Sequence, residues 1–230
     1  MQNNLAIPIA IVIAGALIAG TVFFTNGRTN TVGANQPAPE APTGDLEAMT
    51  AISASDHIRG NPDAPVKIVE YSDTECPFCK RFHETLKQAV DSNKDVAWIY
   101  RHFPLDQLHK KARKEAVATE CANELGGNDA FWKYLDRLFA VTPTNDGLDP
   151  AELPKIAQFV GLDVAKFNEC LASTRYDQKI EDEVQNAQTT GGNGTPWSIV
   201  VSKSGKKYPL SGAQPLEAVK QLIEVARKDN

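Results

Sequence analysis

The sequence lacks the features that define several large classes of protein. Only four of its 230 residues are cysteines, which is too few for a small domain held together mainly by disulfides. Lys and Arg together number 24, and Asp and Glu 29, so there is no basic excess and nucleic acid is not an expected partner. The hydrophobic and charged fractions, 42% and 23%, are those of an ordinary globular protein and exclude a disordered or collagen-like chain.

Charged side chains are absent from the first 27 residues. Within this stretch, Leu5–Phe24 is a run of 20 almost entirely apolar residues. A helix of that length is about 30 Å long, which matches the hydrocarbon thickness of a bilayer. We therefore predict that residues 1–24 form the transmembrane anchor of a single-pass membrane protein. The alternative is a cleaved signal peptide with a weak cleavage site at Val32–Ala34, although no basic residue precedes the apolar run.

Residues 25–54 contain few large apolar side chains and three closely spaced prolines, Pro37, Pro39 and Pro42. A segment of this composition buries too little apolar surface to offset the entropy that it loses on folding. We predict a flexible tether over these residues and a folded domain over residues 55–230.

Two of the cysteines belong to the motif Cys76-Pro77-Phe78-Cys79. A short β-branched run, Val66–Tyr71, precedes the motif, and apolar residues at helical spacing follow it. The pattern predicts a strand that turns into a helix, with Cys76 at the helix N-terminus. Free N–H groups and the positive end of the helix dipole favour a thiolate there. Two intervening residues bring both sulfur atoms within disulfide reach.

Three other interpretations of the motif are weaker. A zinc site requires two further ligands at short spacing, whereas Cys121 and Cys170 lie far apart in the sequence and His83 adds only one ligand. A c-type haem requires a histidine directly after the second cysteine, where this sequence has Lys80. A purely structural disulfide is rarely placed at a strand-to-helix turn. We therefore expect neither a metal nor a cofactor.

Three segments of the sequence resemble the DsbA-type thioredoxin-fold proteins of bacterial envelopes. They are APVKIVEYSDTECPFCKRF, VAWIYRHFPL and GTPWSIVV, and the resemblance extends over about residues 56–228. It implies an α/β fold of the thioredoxin type with an inserted helical domain over about residues 105–188. The predicted N-terminal transmembrane helix precedes this domain.

The same resemblance assigns roles to particular residues. It implies thiol–disulfide exchange in which Cys76 is the nucleophile and Cys79 is the resolving thiol. It also implies that Pro196 is a cis-proline facing the motif, with Thr195 before it. Thr195 would present its backbone to an extended substrate segment.

Pro77 and Phe78 complete the expected substrate-binding residues. Phe78 departs from the family's pattern, because the best-known oxidant of the family has a histidine between the proline and the second cysteine. That histidine helps to stabilise the thiolate, and phenylalanine cannot do so. The direction of electron transfer is therefore open at this point, while the exchange chemistry is not.

Glu70 stands within the apolar run before the motif. It is either a solvent-facing strand residue or a buried carboxyl beneath the cysteines, where the family's pattern also places one. Burial would raise the pKa of such a carboxyl and let it relay the proton of Cys79. Among the other titratable residues, we expect His57, His83 and His109 to lie on the surface.

Cys121 and Cys170 are predicted to form a second, structural disulfide within the helical domain. Cys121 shares a helical stripe with Val117, and Cys170 shares one with Phe167, so both point toward an apolar interior. Two buried free thiols are the alternative. An oxidising compartment favours the disulfide, because paired buried thiols rarely stay reduced there.

These predictions combine into one functional hypothesis. The protein is a monomeric thiol–disulfide oxidoreductase in the cell membrane, with its catalytic domain on the extracytoplasmic side. It exchanges the Cys76–Cys79 disulfide with cysteine pairs of secreted or envelope proteins, as an oxidase, and a quinone-linked membrane protein of the DsbB or VKOR type reoxidises it. The alternatives are a disulfide reductase or isomerase, and a non-catalytic thioredoxin-like module that binds client proteins.

Overall fold

The structure of the protein is a computed structural model that describes residues 44–229. The predicted anchor, residues 1–24, and the predicted tether up to residue 43 lie outside the described residues. Among the helices of residues 44–229, none has the length and apolar character needed to cross a bilayer.

Five strands within the described residues form one mixed sheet. In chain order they are β1 (His57–Gly60), β2 (Val66–Ser72), β3 (Val96–His102), β4 (Trp197–Val201) and β5 (Lys207–Ser211). Their order across the sheet is β1-β3-β2-β4-β5. The pair of β2 and β3 is parallel, and the other neighbouring pairs are antiparallel. β2 is therefore the central strand, and the cysteine motif follows its C-terminal end.

The described residues contain six α-helices, some packed on the sheet and the others in an inserted domain. They are α1 (Pro77–Asp91), α2 (Ala112–Val141), α3 (Glu152–Phe159), α4 (Val164–Leu171), α5 (Asp177–Thr189) and α6 (Leu216–Lys228). Gly127, with a φ of 70°, interrupts α2 because that conformation does not continue a helix. α1 and α6 cover one face of the sheet with an apolar cluster that includes Phe82, Leu86 and Ile223. α5 packs on the other face, where Val184 is buried.

Helices α2, α3 and α4 form a helical domain inserted between β3 and β4. Its core is a separate apolar cluster, and a disulfide between Cys121 of α2 and Cys170 of α4 lies inside it. The Cα atoms of this pair are 5.7 Å apart, and both side chains are buried. The pairing is the one that the sequence predicts. The architecture confirms the predicted α/β thioredoxin fold with a helical insertion.

Local sequence explains where α1 begins and which way it faces. Pro77 is its first residue, where the missing N–H of proline costs no hydrogen bond, and Cys76 before it has extended φ and ψ of −81° and 122°. The helix buries one apolar side against the sheet. Because this stripe fixes the rotation of α1, Cys79 points inward and Phe78 outward, with exposed fractions of 0% and 54%.

The structure begins the folded domain earlier than the sequence predicts. Leu46–Ala48 forms a short 3₁₀ helix, and Met49 is buried in the cluster that α5 shares with the sheet. Asn186 of α5 holds this segment, because its side-chain amide donates to the carbonyl of Ala48 and its side-chain oxygen accepts the N–H of Thr50. The C-terminal part of the predicted tether therefore belongs to the domain.

Candidate active site

Cys76 and Cys79 lie where β2 runs into α1. Both are free thiols in the structure, and their exposed fractions are 4% and 0%. The Cys76 thiol donates to the carbonyl oxygen of Thr195 at 3.5 Å. The backbone N–H of Asp73 donates to Cys79 Sγ, also at 3.5 Å. The sulfur that the sequence predicts as the nucleophile is thus the outer one of the pair.

The two thiols have opposite pKa shifts. The hydrogen bond with Cys79 is the largest effect on Cys76 and lowers its pKa to about 6. Burial is the largest effect on Cys79 and raises its pKa well above the ordinary value. The reduced pair therefore holds a thiolate at Cys76 and a protonated thiol at Cys79 near neutral pH. A thiolate is the attacking form in thiol–disulfide exchange, so this charge distribution favours the chemistry.

Glu70, on β2, is completely buried. The solvent-facing alternative for this residue is therefore wrong. Trp98 Nε1 donates to Glu70 Oε2 at 2.9 Å, whereas Oε1 has no hydrogen-bond partner among the described residues. Burial raises the pKa of Glu70 to about 8, and the charge of Glu70 adds to burial in raising the pKa of Cys79. A carboxyl that titrates in this range is suited to proton exchange near neutral pH.

The loop before β4 brings Thr195 and Pro196 to the motif. The Thr195–Pro196 peptide bond is cis, as the resemblance implies, and the carbonyl of Pro196 accepts the N–H of Gly212 at 2.9 Å. The pairing of Trp197 with Tyr71 fixes the start of β4 beside the end of β2. The loop therefore faces the nucleophile from the neighbouring strand.

Pro77 and Phe78 are the exposed residues of the motif. Phe78 is the larger of the two, and the guanidinium carbon of Arg81 lies 5.3 Å from its ring centroid. An exposed aromatic ring beside a nucleophile offers a surface that apolar residues of a partner can cover. Both residues lie on the surface directly after Cys76 in the sequence.

Three histidines that the sequence predicts on the surface, His57, His83 and His109, are buried. His83 Nε2 lies 2.7 Å from Asp136, and His109 Nδ1 lies 2.9 Å from Asp73. The surface prediction is wrong because each ring is compensated by a carboxylate from an element distant in sequence. No local pattern indicates such a pairing, whereas burial without a partner would be costly.

His57 belongs to a buried cluster with His102 and Glu120. Both Nε2 atoms contact Glu120 Oε1, at 2.7 and 3.0 Å. Two histidines and a carboxylate are a common ligand set for transition metals. However, Lys179 Nζ lies 2.9 Å from the same oxygen, so its ammonium group supplies the positive charge that compensates the buried carboxylate. We interpret the cluster as an ion-pair network that joins α2 and α5 to the edge of the sheet.

The structure buries two further acids near the motif, and the sequence analysis predicts neither of them as a site residue. Asp73 lies in the turn before Cys76, and its carboxylate accepts the N–H groups of Glu75 and Leu105 at 2.8 and 2.7 Å. Glu115 of α2 is also buried, and burial together with its contact to Glu75 raises its pKa to about 9. The one local signal for Asp73 is its position where a buried strand ends, three residues before the nucleophile.

Known proteins resemble this chain in both sequence and structure. The sequence profile of a family described as thioredoxin matches residues 53–224. The crystal structure of DsbA2 from Pseudomonas aeruginosa is 32% identical in sequence, with a TM-score of 0.69, and the match covers 78% of this chain and 98% of that one. The chain is a DsbA-type member of the thioredoxin family. Its site is accordingly that of a thiol–disulfide oxidoreductase.

Two further similarities concern the fold and the share of each relative's length that this chain covers. BdbD from Bacillus subtilis, in its oxidised form, has a TM-score of 0.64 at 22% identity, with coverage of 80% of this DsbA-type chain and 96% of BdbD, and it supports the fold alone. The Na⁺/H⁺ antiporter NhaA 3 of Salinispora tropica is 36% identical over 184 residues, which are 80% of this chain and 26% of the antiporter. The chain thus spans about a quarter of the length of the curated relatives it matches.

Proposed function

We propose that this DsbA-type protein is an extracytoplasmic oxidase, which transfers its Cys76–Cys79 disulfide to cysteine pairs of secreted or envelope proteins. The observation that carries the proposal is the position of Cys76 at the N-terminus of α1 beside a fully buried Cys79, where the hydrogen bond between the two sulfur atoms lowers the pKa of Cys76 to about 6. A stabilised thiolate lowers the free energy of the reduced protein. The disulfide form is then the stronger oxidant, since reducing it is more favourable.

Exchange begins when a client thiolate attacks Cys76 Sγ of the oxidised protein. The bond between Cys76 and Cys79 breaks, the client sulfur bonds to Cys76, and Cys79 leaves with the electron pair and takes up a proton. The client's second thiolate then attacks the client sulfur of this mixed disulfide, and Cys76 leaves as a thiolate. The client has lost two electrons and gained a disulfide, and the protein has gained the two electrons. The low pKa of Cys76 makes it a good leaving group in the second step.

Glu70 supplies the proton that Cys79 takes up in this scheme. Burial disfavours a thiolate at Cys79, so protonation of that sulfur drives the first step forward. The pKa of Glu70, about 8, lies near enough to neutrality for the carboxyl to donate a proton and to regain one. The completely buried position of Glu70 keeps this exchange local to the pair.

The substrate contacts follow from the groups around Cys76. The Thr195 carbonyl is 3.5 Å from the sulfur, so an extended client segment with its cysteine at Cys76 lies beside the loop of Thr195 and Pro196. Backbone pairing there would hold clients of many sequences, since it reads no side chain. Pro77 and Phe78 offer the apolar part of the same surface.

The Cys121–Cys170 disulfide supports the proposed location. Structural disulfides persist in oxidising compartments and are rare in the cytosol. The predicted anchor, residues 1–24, would hold the domain at the outer side of the membrane as a single-pass protein. A quinone-linked membrane protein of the DsbB or VKOR type would then reoxidise the reduced pair, and the protein would act as a monomer.

The reduction potential of the Cys76–Cys79 pair tests the direction of electron transfer. We expect the full-length protein in detergent to equilibrate with glutathione buffers above roughly −200 mV, whereas a value near roughly −270 mV would assign a reductase. The protein should also oxidise reduced, unfolded ribonuclease, and Cys76→Ser should abolish this activity. Activity only in insulin reduction or with scrambled ribonuclease would replace the proposal with a reductase or an isomerase. Inactivity in all three assays would leave a client-binding module.

A further inference from the structure

His109 and Asp73 form a buried pair behind the turn that carries Cys76. The carbonyl of Asp73 accepts the N–H of Cys76 at 3.2 Å, so Asp73 is tied to the nucleophile through the backbone. Its Oδ2 accepts hydrogen bonds from His109 Nδ1 at 2.9 Å and from the N–H of Leu105 at 2.7 Å. The exposed fractions of Asp73 and His109 are 1% and 6%. The imidazole is therefore held at a fixed place relative to the motif.

The charge of Asp73 works against the Cys76 thiolate unless it is compensated. A carboxylate near the sulfur raises the free energy of the thiolate by repulsion. Burial raises the pKa of Asp73, while hydrogen bonds from Leu105, His109 and Glu75 act in the opposite direction and favour the carboxylate. A protonated His109 compensates this charge and adds its own attraction for the thiolate.

The motif itself contains no cation for this purpose, because Phe78 occupies the position before the second cysteine. The two basic residues that follow the motif are engaged elsewhere. Lys80 Nζ donates to the carbonyl of Thr142 at 2.6 Å, and the guanidinium of Arg81 lies over the Phe78 ring. His109 is instead connected to the motif through Asp73, whose carboxylate it contacts and whose carbonyl accepts the N–H of Cys76.

We propose that protonated His109, held by Asp73, is the cation that stabilises the Cys76 thiolate in this protein. It acts through the electric field at the sulfur and not by contact with a client, so it is a positioning residue for the nucleophile. The inference rests on the proposed thiol–disulfide exchange at Cys76, but it does not depend on the direction of electron transfer.

The groups around His109 decide how this stabilisation depends on pH. Those that face it or adjoin it in the described chain are Asp73, Cys76, Lys110, Lys111 and Asp146. Burial lowers the pKa of His109, but the hydrogen bond and charge of Asp73, and the charges of Cys76 and Asp146, raise it above the ordinary value. The backbone N–H groups of both lysines donate to the Asp146 carboxylate. The stabilisation is present while His109 is protonated and is lost as the pH rises through its pKa.

Reciprocity gives a test that needs no substitution at His109. If the imidazolium stabilises the thiolate, the thiolate must raise the pKa of His109 by the same amount. We expect NMR titration of the full-length protein in detergent to give a His109 pKa about one unit higher in the reduced than in the oxidised form. Reduced Cys76→Ser, which has no thiolate at that position, should give the value of the oxidised form. Equal His109 pKa values in the reduced and oxidised proteins would overturn the proposal.

A matched pair of variants tests the same coupling from the sulfur. In His109→Gln, the Cys76 pKa, followed by thiolate absorbance near 240 nm, should rise by about one unit. The equilibrium constant for reduction of the Cys76–Cys79 disulfide by glutathione should fall by up to about tenfold. Lys110→Gln is the control, because its side chain is exposed and donates to the carbonyl of Asp106, and it should leave both values unchanged. An unchanged Cys76 pKa in folded His109→Gln contradicts the inference. The absorbance titration involves no client, so a protein that proves to be a reductase can still show the shift.

Discussion

Replacing Glu70 by glutamine measures how much the burial of an ionisable carboxyl near Cys76 and Cys79 lowers the free energy of unfolding. Glutamine keeps an oxygen that can accept from Trp98 Nε1, as Glu70 does at 2.9 Å, but it cannot ionise. The folded-state pKa of Glu70, about 8, is higher than its ordinary value of 4.5. A carboxyl with a raised pKa favours folding fully only below its ordinary pKa, and this contribution is lost as the pH rises toward the folded value. The native protein therefore loses stability relative to Glu70→Gln between pH 4.5 and pH 8.

The size of this effect follows from the two pKa values. At pH 7 the unfolded chain has released the Glu70 proton and the folded chain still holds it, which corresponds to about 3 kcal/mol, whereas at pH 4 the difference is close to zero. Denaturant unfolding at pH 4, 6, 7 and 8 measures it in the protein with Cys76 and Cys79 reduced, the form to which the pKa of about 8 applies. Glu84→Gln on α1 is the matched control, since Glu84 is exposed and its substitution leaves the buried carboxyl of Glu70 in place.

The same substitution should slow disulfide exchange. Glutamine cannot give Cys79 a proton, so the loss is expected to be about tenfold or more and to be largest below pH 8, where the native carboxyl holds its proton. Stopped-flow oxidation of a dithiol peptide measures the rate.

A stability difference between Glu70→Gln and the native protein that stays constant from pH 4 to pH 8 would refute the reasoning. It would mean that the carboxyl takes up no proton on folding.

Three other predictions concern the remaining cysteines and the N-terminus. Iodoacetamide should alkylate Cys76 faster than Cys79, with a rate that titrates near pH 6, and faster labelling of Cys79 would reverse their roles. Replacing both Cys121 and Cys170 by alanine should lower the free energy of unfolding by about 4 kcal/mol, given a sequence separation of 49, and mass spectrometry of the non-reduced protein should find this pair linked. Carbonate extraction should leave the full-length protein in the membrane fraction, and deletion of residues 1–24 should release it; a native form that begins near residue 35 would favour a signal peptide.

The parts of the fold that the sequence predicts correctly are those with local signals. Pro77 after an apolar strand marks the start of α1, and the apolar stripe that follows determines that Cys79 lies deeper than Cys76. In the insertion, the start of α4 has such a signal, because the side chain of Asp163 caps it by accepting the N–H groups of Ala165 and Lys166. Cys121 and Cys170 each lie on such a stripe, so their common interior follows from periodicity alone.

The parts that the sequence does not predict depend on tertiary pairing. β1 has one large apolar residue, Ile58, and its place at the edge of the sheet comes from pairing with β3. The sequence does not show whether Glu70 is buried or exposed. Alternation of apolar and polar residues identifies the buried face of a strand only when the other face meets water, and β2 is covered on both faces. His83 and His109 are buried because carboxylates 53 and 36 residues away meet them. The two members of each pair are too far apart in the sequence for a local pattern to include both.

The acids around the motif show how a protein with a net negative charge keeps a thiolate at this position. Three of them precede the nucleophile by one to six residues: Glu70, Asp73 and Glu75. Burial keeps Glu70 protonated at neutral pH, His109 pairs with Asp73, and Glu115, whose pKa is raised to about 9, faces Glu75 as a neutral carboxylic acid. Burial, ion pairing and a neutral neighbour thus limit the repulsion that these acids exert on the nucleophile. The helix dipole favours the negative charge of the Cys76 thiolate at the N-terminus of α1.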